Sequence, residues 1–86
     1  MMNIVINGNK IKNMDDFHNE IKNLLNLPSY YGNNLDALDE CLDDYDNLTF
    51  TFINSSKLAY NLEKYFFILL DLLKDHNIDV KIKVNE

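Results

Sequence analysis

A two-layer α/β domain, with a three-stranded parallel sheet in the order 1-2-3 and helices packed on one face, is the fold class predicted by this 86-residue chain. Three observations lead there. Runs with strand character lie near the start, middle and end of the sequence. Helical periodicity fills both intervals between them, and each interval is long enough for the crossover that parallel neighbours require. Right-handed crossovers in that strand order place the helices on the same side of the sheet. The second and third strands alternate instead of running continuously apolar, as expected of a sheet with one face in water. A single domain, residues 1–86, is expected at this length.

The first strand spans Asn3–Asn7 around Ile4-Val5-Ile6 and stops at the turn signal Asn7-Gly8-Asn9. Met14, Phe17, Ile21, Leu24 and Leu25 mark a helix, with Asn13 as its N-cap and Asp15-Asp16 in its first turn. Pro28 prevents that helix from continuing. Asn33 or Asn34 caps a shorter second helix, which buries Leu35, Leu38, Cys41 or Leu42, and Tyr45. Leu48-Thr49-Phe50-Thr51-Phe52 reads as the second strand and Val80-Lys81-Ile82-Lys83-Val84 as the third, with the threonines and lysines facing water. Between them, Ser55 or Ser56 caps one long helix with Leu58, Leu62, Tyr65, Phe66, Leu69, Leu72 and Leu73 inward.

Charge is the feature that points to function. Between Lys22 and Lys57 the chain carries no cation but holds Asp36, Asp39, Glu40, Asp43, Asp44 and Asp46. These six carboxylates equal the whole formal net charge of −6, so the excess is a local patch. Five of them, at 36, 39, 40, 43 and 44, follow the rhythm of one helix face. Like-charge neighbours on that face cost about 0.2–0.5 kcal/mol a pair, or roughly 1–2.5 kcal/mol over the five pairs. Asp43 and Asp44 also sit at the wrong end of the helix dipole for anions. A solvated helix side usually mixes both signs; an uncompensated one suits a strongly basic partner. An acidic chain without arginine is correspondingly a poor ligand for nucleic acid or an anionic membrane.

Signatures of catalysis are scarce. His18 and His76 are isolated and read as solvated side chains, His76 helped by the C-terminal dipole of its helix. Cys41, the single cysteine, reads as a packed or half-buried thiol whose acidic neighbours suppress the thiolate. Asp44 and Asp46 fit positions one and three of a calcium loop, but Leu48, Thr49 and Ser55 then occupy positions that need a ligand, a glycine and a glutamate. No enzyme activity, metal or cofactor is expected. The opening Met1-Met2-Asn3-Ile4-Val5 lacks the features of a secretory signal, and with one cysteine a reducing, cytoplasmic setting is expected. Before the acidic helix, Pro28-Ser29-Tyr30-Tyr31-Gly32-Asn33-Asn34 sets two tyrosines and a flexible glycine beside the first carboxylate. One tyrosine is expected in the core and the other free to stack on a partner.

The run Leu27-Pro28-Ser29-Tyr30-Tyr31-Gly32-Asn33-Asn34-Leu35-Asp36-Ala37-Leu38-Asp39-Glu40-Cys41-Leu42 closely resembles the central segment of the barstar family, intracellular inhibitors of barnase-like ribonucleases. Val5-Ile6-Asn7-Gly8 supports the resemblance, and Ile78-Asp79-Val80-Lys81-Ile82 does so more weakly. The resemblance implies a two-layer α/β fold whose loop and second helix plug the active site of a guanyl-preferring ribonuclease. Tyr30, Gly32, Asn34 and Asp36 match residues that the family presents to the enzyme, and Glu40 stands where the family places an aspartate in the substrate-phosphate site. Asp39 and Tyr45 occupy positions held by tryptophans in the family; Asp43 and Asp44 replace a small polar residue and a glycine. The implied partner is a basic extracellular or toxin-type ribonuclease, bound one to one by a chain that is monomeric when free. The alternative is an antitoxin or interaction module of the same fold that binds a basic partner other than a nuclease.

Overall fold

The computed structural model describes residues 2–85. Its elements are β1 (Met2–Asn7), a short 3-10 turn (Gly8–Lys10), α1 (Met14–Leu24), α2 (Leu35–Leu42), β2 (Leu48–Ile53), α3 (Ser55–Leu62), α4 (Lys64–Asp75) and β3 (Asp79–Ile82). The strands form one parallel sheet in the order β1-β2-β3. Register aligns Ile4 with Phe50 and Phe50 with Val80, then Ile6 with Phe52 and Phe52 with Ile82. Ile4, Ile6, Phe50 and Phe52 are buried together with Phe17, Ile21, Leu38, Leu42, Leu58, Phe66, Leu69 and Leu73 from the helices. Val5 and Lys81, on the opposite face, are exposed. The layer arrangement is thus the one expected. Among the described residues no helix is long and apolar enough to cross a membrane.

Four local expectations are corrected. The single long helix is two, interrupted at Glu63, whose φ of 53° breaks the i→i−4 ladder. The apolar stripe keeps its phase across the break, so periodicity could not reveal it. Tyr65, in the first turn of α4, is exposed instead of facing the core, and Leu72 is only half-buried. Neither serine caps α3: Asn54 holds the N-cap position in a left-handed conformation without a side-chain capping bond, its amide donating instead to Asn7 Oδ1. That turn passes so near β1 that a Cβ on Gly8 would lie 2.2 Å from the Asn54 carbonyl oxygen, so glycine is required there.

The other two corrections concern the sheet. Thr51 is buried, because β2 is the central strand and Val5 and Lys81 flank it on the far face. Its hydroxyl and that of Thr49 both donate to Asn3 Oδ1. In contrast, Ile82, the last residue of β3, and Val84 beyond it are exposed. Regular pairing ends at Ile82, although Lys83 still donates its N–H to the Phe52 carbonyl.

Candidate functional site

The acidic helix is aimed by its N-terminus. Asn34 is its cap: Oδ1 accepts from the Ala37 N–H at 2.8 Å while Nδ2 donates to the Gly32 carbonyl at 3.1 Å. Asn33 takes positive φ and ties the loop to α1 by donating to Asn19 Oδ1. The φ of Gly32 is not positive, and a Cβ there would lie 3.2 Å from the Asn34 side-chain amide.

The two tyrosines divide as expected. Tyr30 is 85% exposed, whereas Tyr31 is buried and its hydroxyl shares a 2.7 Å hydrogen bond with Nδ1 of His18. His18 is therefore not solvated; it is 2% exposed, on the inward side of α1 with Met14, Ile21 and Leu25. Burial lowers its pKa, opposed by the Asp15 carboxylate. Burial pushes the Tyr31 phenol above its ordinary value, and the Cys41 thiolate adds to the shift. This buried pair anchors the loop beneath Tyr30. The helical spacing of His18 from Met14, Ile21 and Leu25 was the available signal for its burial, while Leu24, assigned to the stripe, is exposed.

Asp36, Asp39, Glu40, Asp43 and Asp44 are all exposed, so the carboxylate face is real, but its members have distinct surroundings. Glu40 and Asp44 line a groove of about 600 Å³ with Leu27, Pro28, Tyr30, Cys41 and Tyr45. Asp36 borders a second depression of about 430 Å³, on the side of Met14, His18, Asn33, Asn34, Leu35 and Tyr65. Asp39 and Asp43 lean towards α4, where His76 Nε2 lies 2.6 Å from Asp39 Oδ1 and Nδ1 lies 3.4 Å from Asp43 Oδ1. His76 is thus an interhelical contact with a side chain only 15% exposed, not the solvated residue expected. The helix face lacks a cation of its own and receives one through the fold when this ring is protonated. Sequence separation hid it, since residues 39 and 76 become neighbours only when α2 and α4 pack. Among the described residues no lysine forms an ion pair with these carboxylates.

Tyr45 is half-buried and lines the groove while its hydroxyl donates to the Leu25 carbonyl at 2.7 Å. Burial raises its pKa, with further contributions from Cys41 and Asp44. Cys41 is half-buried as expected, and burial, then Asp44 and Glu40, push its thiol up and suppress the thiolate. Among the described residues no three of His, Cys, Asp and Glu are gathered to hold a metal ion. The arrangement offers an exposed aromatic, an apolar-floored groove and carboxylate acceptors. It can bind cationic side chains without any covalent chemistry.

A protein of Bacillus subtilis (strain 168) carrying the name "Putative ribonuclease inhibitor YrdF" is 40% identical over 53 residues, which is 62% of this chain and 58% of that protein. The chain thus matches less than two thirds of that relative's length. The family model described as barstar, the barnase inhibitor, matches residues 1–84. With the parallel 1-2-3 sheet and the exposed loop and acidic helix, this match over nearly the whole chain places the protein in the barstar family.

Proposed function

We propose that this chain is a cytoplasmic inhibitor of a basic, guanyl-preferring ribonuclease, which it binds one to one as a monomer, not an enzyme. The observation that carries the reading is the surface running from Tyr30 across the groove to Glu40 and Asp44, with Asp36 exposed on the same helix, on a chain of the barstar family. Glu40 offers acceptor geometry and charge like those of a substrate phosphate to arginine, lysine and histidine in the enzyme's cleft. Tyr30 stacks on the partner from the loop. Asn34 and Gly32 act mainly by setting the loop and helix, because the Asn34 side chain is already engaged in the cap. Asp39, Asp43 and Tyr45 extend the contact at the rim, where acids in place of tryptophan and small residues suit a partner with a more basic rim than barnase. Carboxylates gathered on one surface steer such an enzyme electrostatically, so association is fast and weakens with salt.

The test is inhibition of RNA cleavage by a panel of secreted guanyl-preferring ribonucleases, barnase among them. Glu40→Ala is expected to weaken inhibition most, by about 2–5 kcal/mol where the carboxylate is buried against a cation. Asp36→Ala and Tyr30→Ala follow. Wild-type inhibition by the Glu40 variant would refute the assignment.

A further inference from the structure

His76 stands where the C-terminal ends of α2 and α4 meet. It is the C-cap residue of α4, and Asp43 is that of α2. A carboxylate only accepts, so Nε2 must donate to Asp39 across their 2.6 Å separation. The other nitrogen then discriminates between protonation states. In the neutral ring Nδ1 turns a lone pair towards the Asp43 carboxylate 3.4 Å away; in the imidazolium it turns a proton. Tyr45, Asp46 and Asp79 line the same cleft, from the turn before β2 and the start of β3. Lys74 and Asp75 precede His76 in the last turn of α4. Among the described residues that line this cleft with His76, the charged side chains are Asp46 and Asp79, both anionic.

We propose that His76 couples the binding of a basic partner to release of a proton, so that the inhibitor holds its ribonuclease more weakly as the medium becomes acidic. The inference rests on the inhibitor reading and concerns regulation of the same surface. Asp39 and Asp43 keep side-chain exposures of 59% and 75%, so a partner's cations can reach the carboxylates that hold the ring. A partner cation and an imidazolium compete for the same two anions and repel each other. Binding therefore favours the neutral ring, and by linkage affinity rises with pH. His76 is a positioning residue: it acts through Asp39 and Asp43 and leaves Asp36, Glu40 and Asp44 unneutralised.

The experiment compares the full chain with His76→Gln, which can still donate to Asp39 but cannot titrate. Affinity for barnase is measured calorimetrically at about pH 5.5 and about pH 7.5, in buffers of different ionisation enthalpy to count protons. Separately, the His76 ring of the full chain is titrated by NMR with and without deca-lysine as a polycationic probe. The wild type is expected to lose about three- to tenfold more affinity than His76→Gln on acidification, to release protons on binding, and to show a lower His76 titration midpoint with deca-lysine. Asp43→Asn, a second variant, should reduce the pH dependence. Equal pH dependence of wild type and His76→Gln towards barnase overturns the proposal while leaving the inhibitor reading intact. An unmoved His76 midpoint with deca-lysine also overturns it. Failure to bind barnase at either pH, with the midpoint lowered by deca-lysine, supports the proton coupling and counts against barnase as the partner.

Discussion

Replacing Tyr31 with phenylalanine tests whether the buried His18–Tyr31 pair holds the recognition loop. The substitution keeps the ring and removes one oxygen, the partner of Nδ1 at 2.7 Å. The bond itself contributes about 0.5–1.5 kcal/mol net, and stranding a polar nitrogen on a residue buried from water adds roughly 1–3 kcal/mol of uncompensated desolvation. Because some relaxation follows, Tyr31→Phe should cost about 1–3 kcal/mol in urea unfolding near neutral pH. Removing both polar groups, in His18→Leu combined with Tyr31→Phe, eliminates the stranded partner. The double variant should therefore be more stable than the sum of the singles predicts, by about 1 kcal/mol or more. The pair also predicts a pH dependence. Burial holds the His18 pKa below its value in the unfolded chain, so the unfolded state takes up the proton first. Stability from this group is intact above about pH 6.5 and falls as pH drops beneath it; His18→Leu should lose less over the same interval. A Tyr31→Phe variant within about 0.5 kcal/mol of wild type, with additive singles, would refute the reasoning.

Three further outcomes follow from other contacts. Asn34→Ala removes the cap on α2 and should cost about 1 kcal/mol in chemical denaturation, with inhibition weakened because the loop loses its tie to the helix. Glu63→Gly relieves a non-glycine residue held at φ 53° and ψ −132° and should stabilise the fold by about 1 kcal/mol, read as a raised denaturation midpoint. Gly8→Ala forces a methyl into the Asn54 carbonyl and should destabilise by about 3 kcal/mol or more, detected by thermal unfolding.

Much of the site was legible because its signals are local. Capping chemistry placed α2 within one residue of its start, and the 3–4 spacing of the acids predicted a common exposed face from the sequence alone. Tyr30 and Tyr31 could be divided into one outward and one inward ring without being told apart. The corrections share a different character. His18 looked polar, but its position at i+4 from Met14 and i−3 from Ile21 outweighed its chemistry once Tyr31 supplied a hydrogen-bond partner. His76 looked isolated because its partners lie 37 and 33 positions earlier in the chain.

What the amino-acid order determines here is whatever depends on neighbours within a few positions: strand alternation, helix phase, caps and the density of charge. Those quantities led to the parallel sheet and to the acidic face. Tertiary structure alone decided how that face is shared, with Asp39 and Asp43 turned towards His76 and Glu40 and Asp44 left along the groove. It also decided that Ile82 and Val84 remain in water while Thr51, on the central strand between Val5 and Lys81, does not. The physical reason is common to both: Coulomb attraction, hydrogen bonding and exclusion of water act over a few ångströms in space, irrespective of separation along the chain.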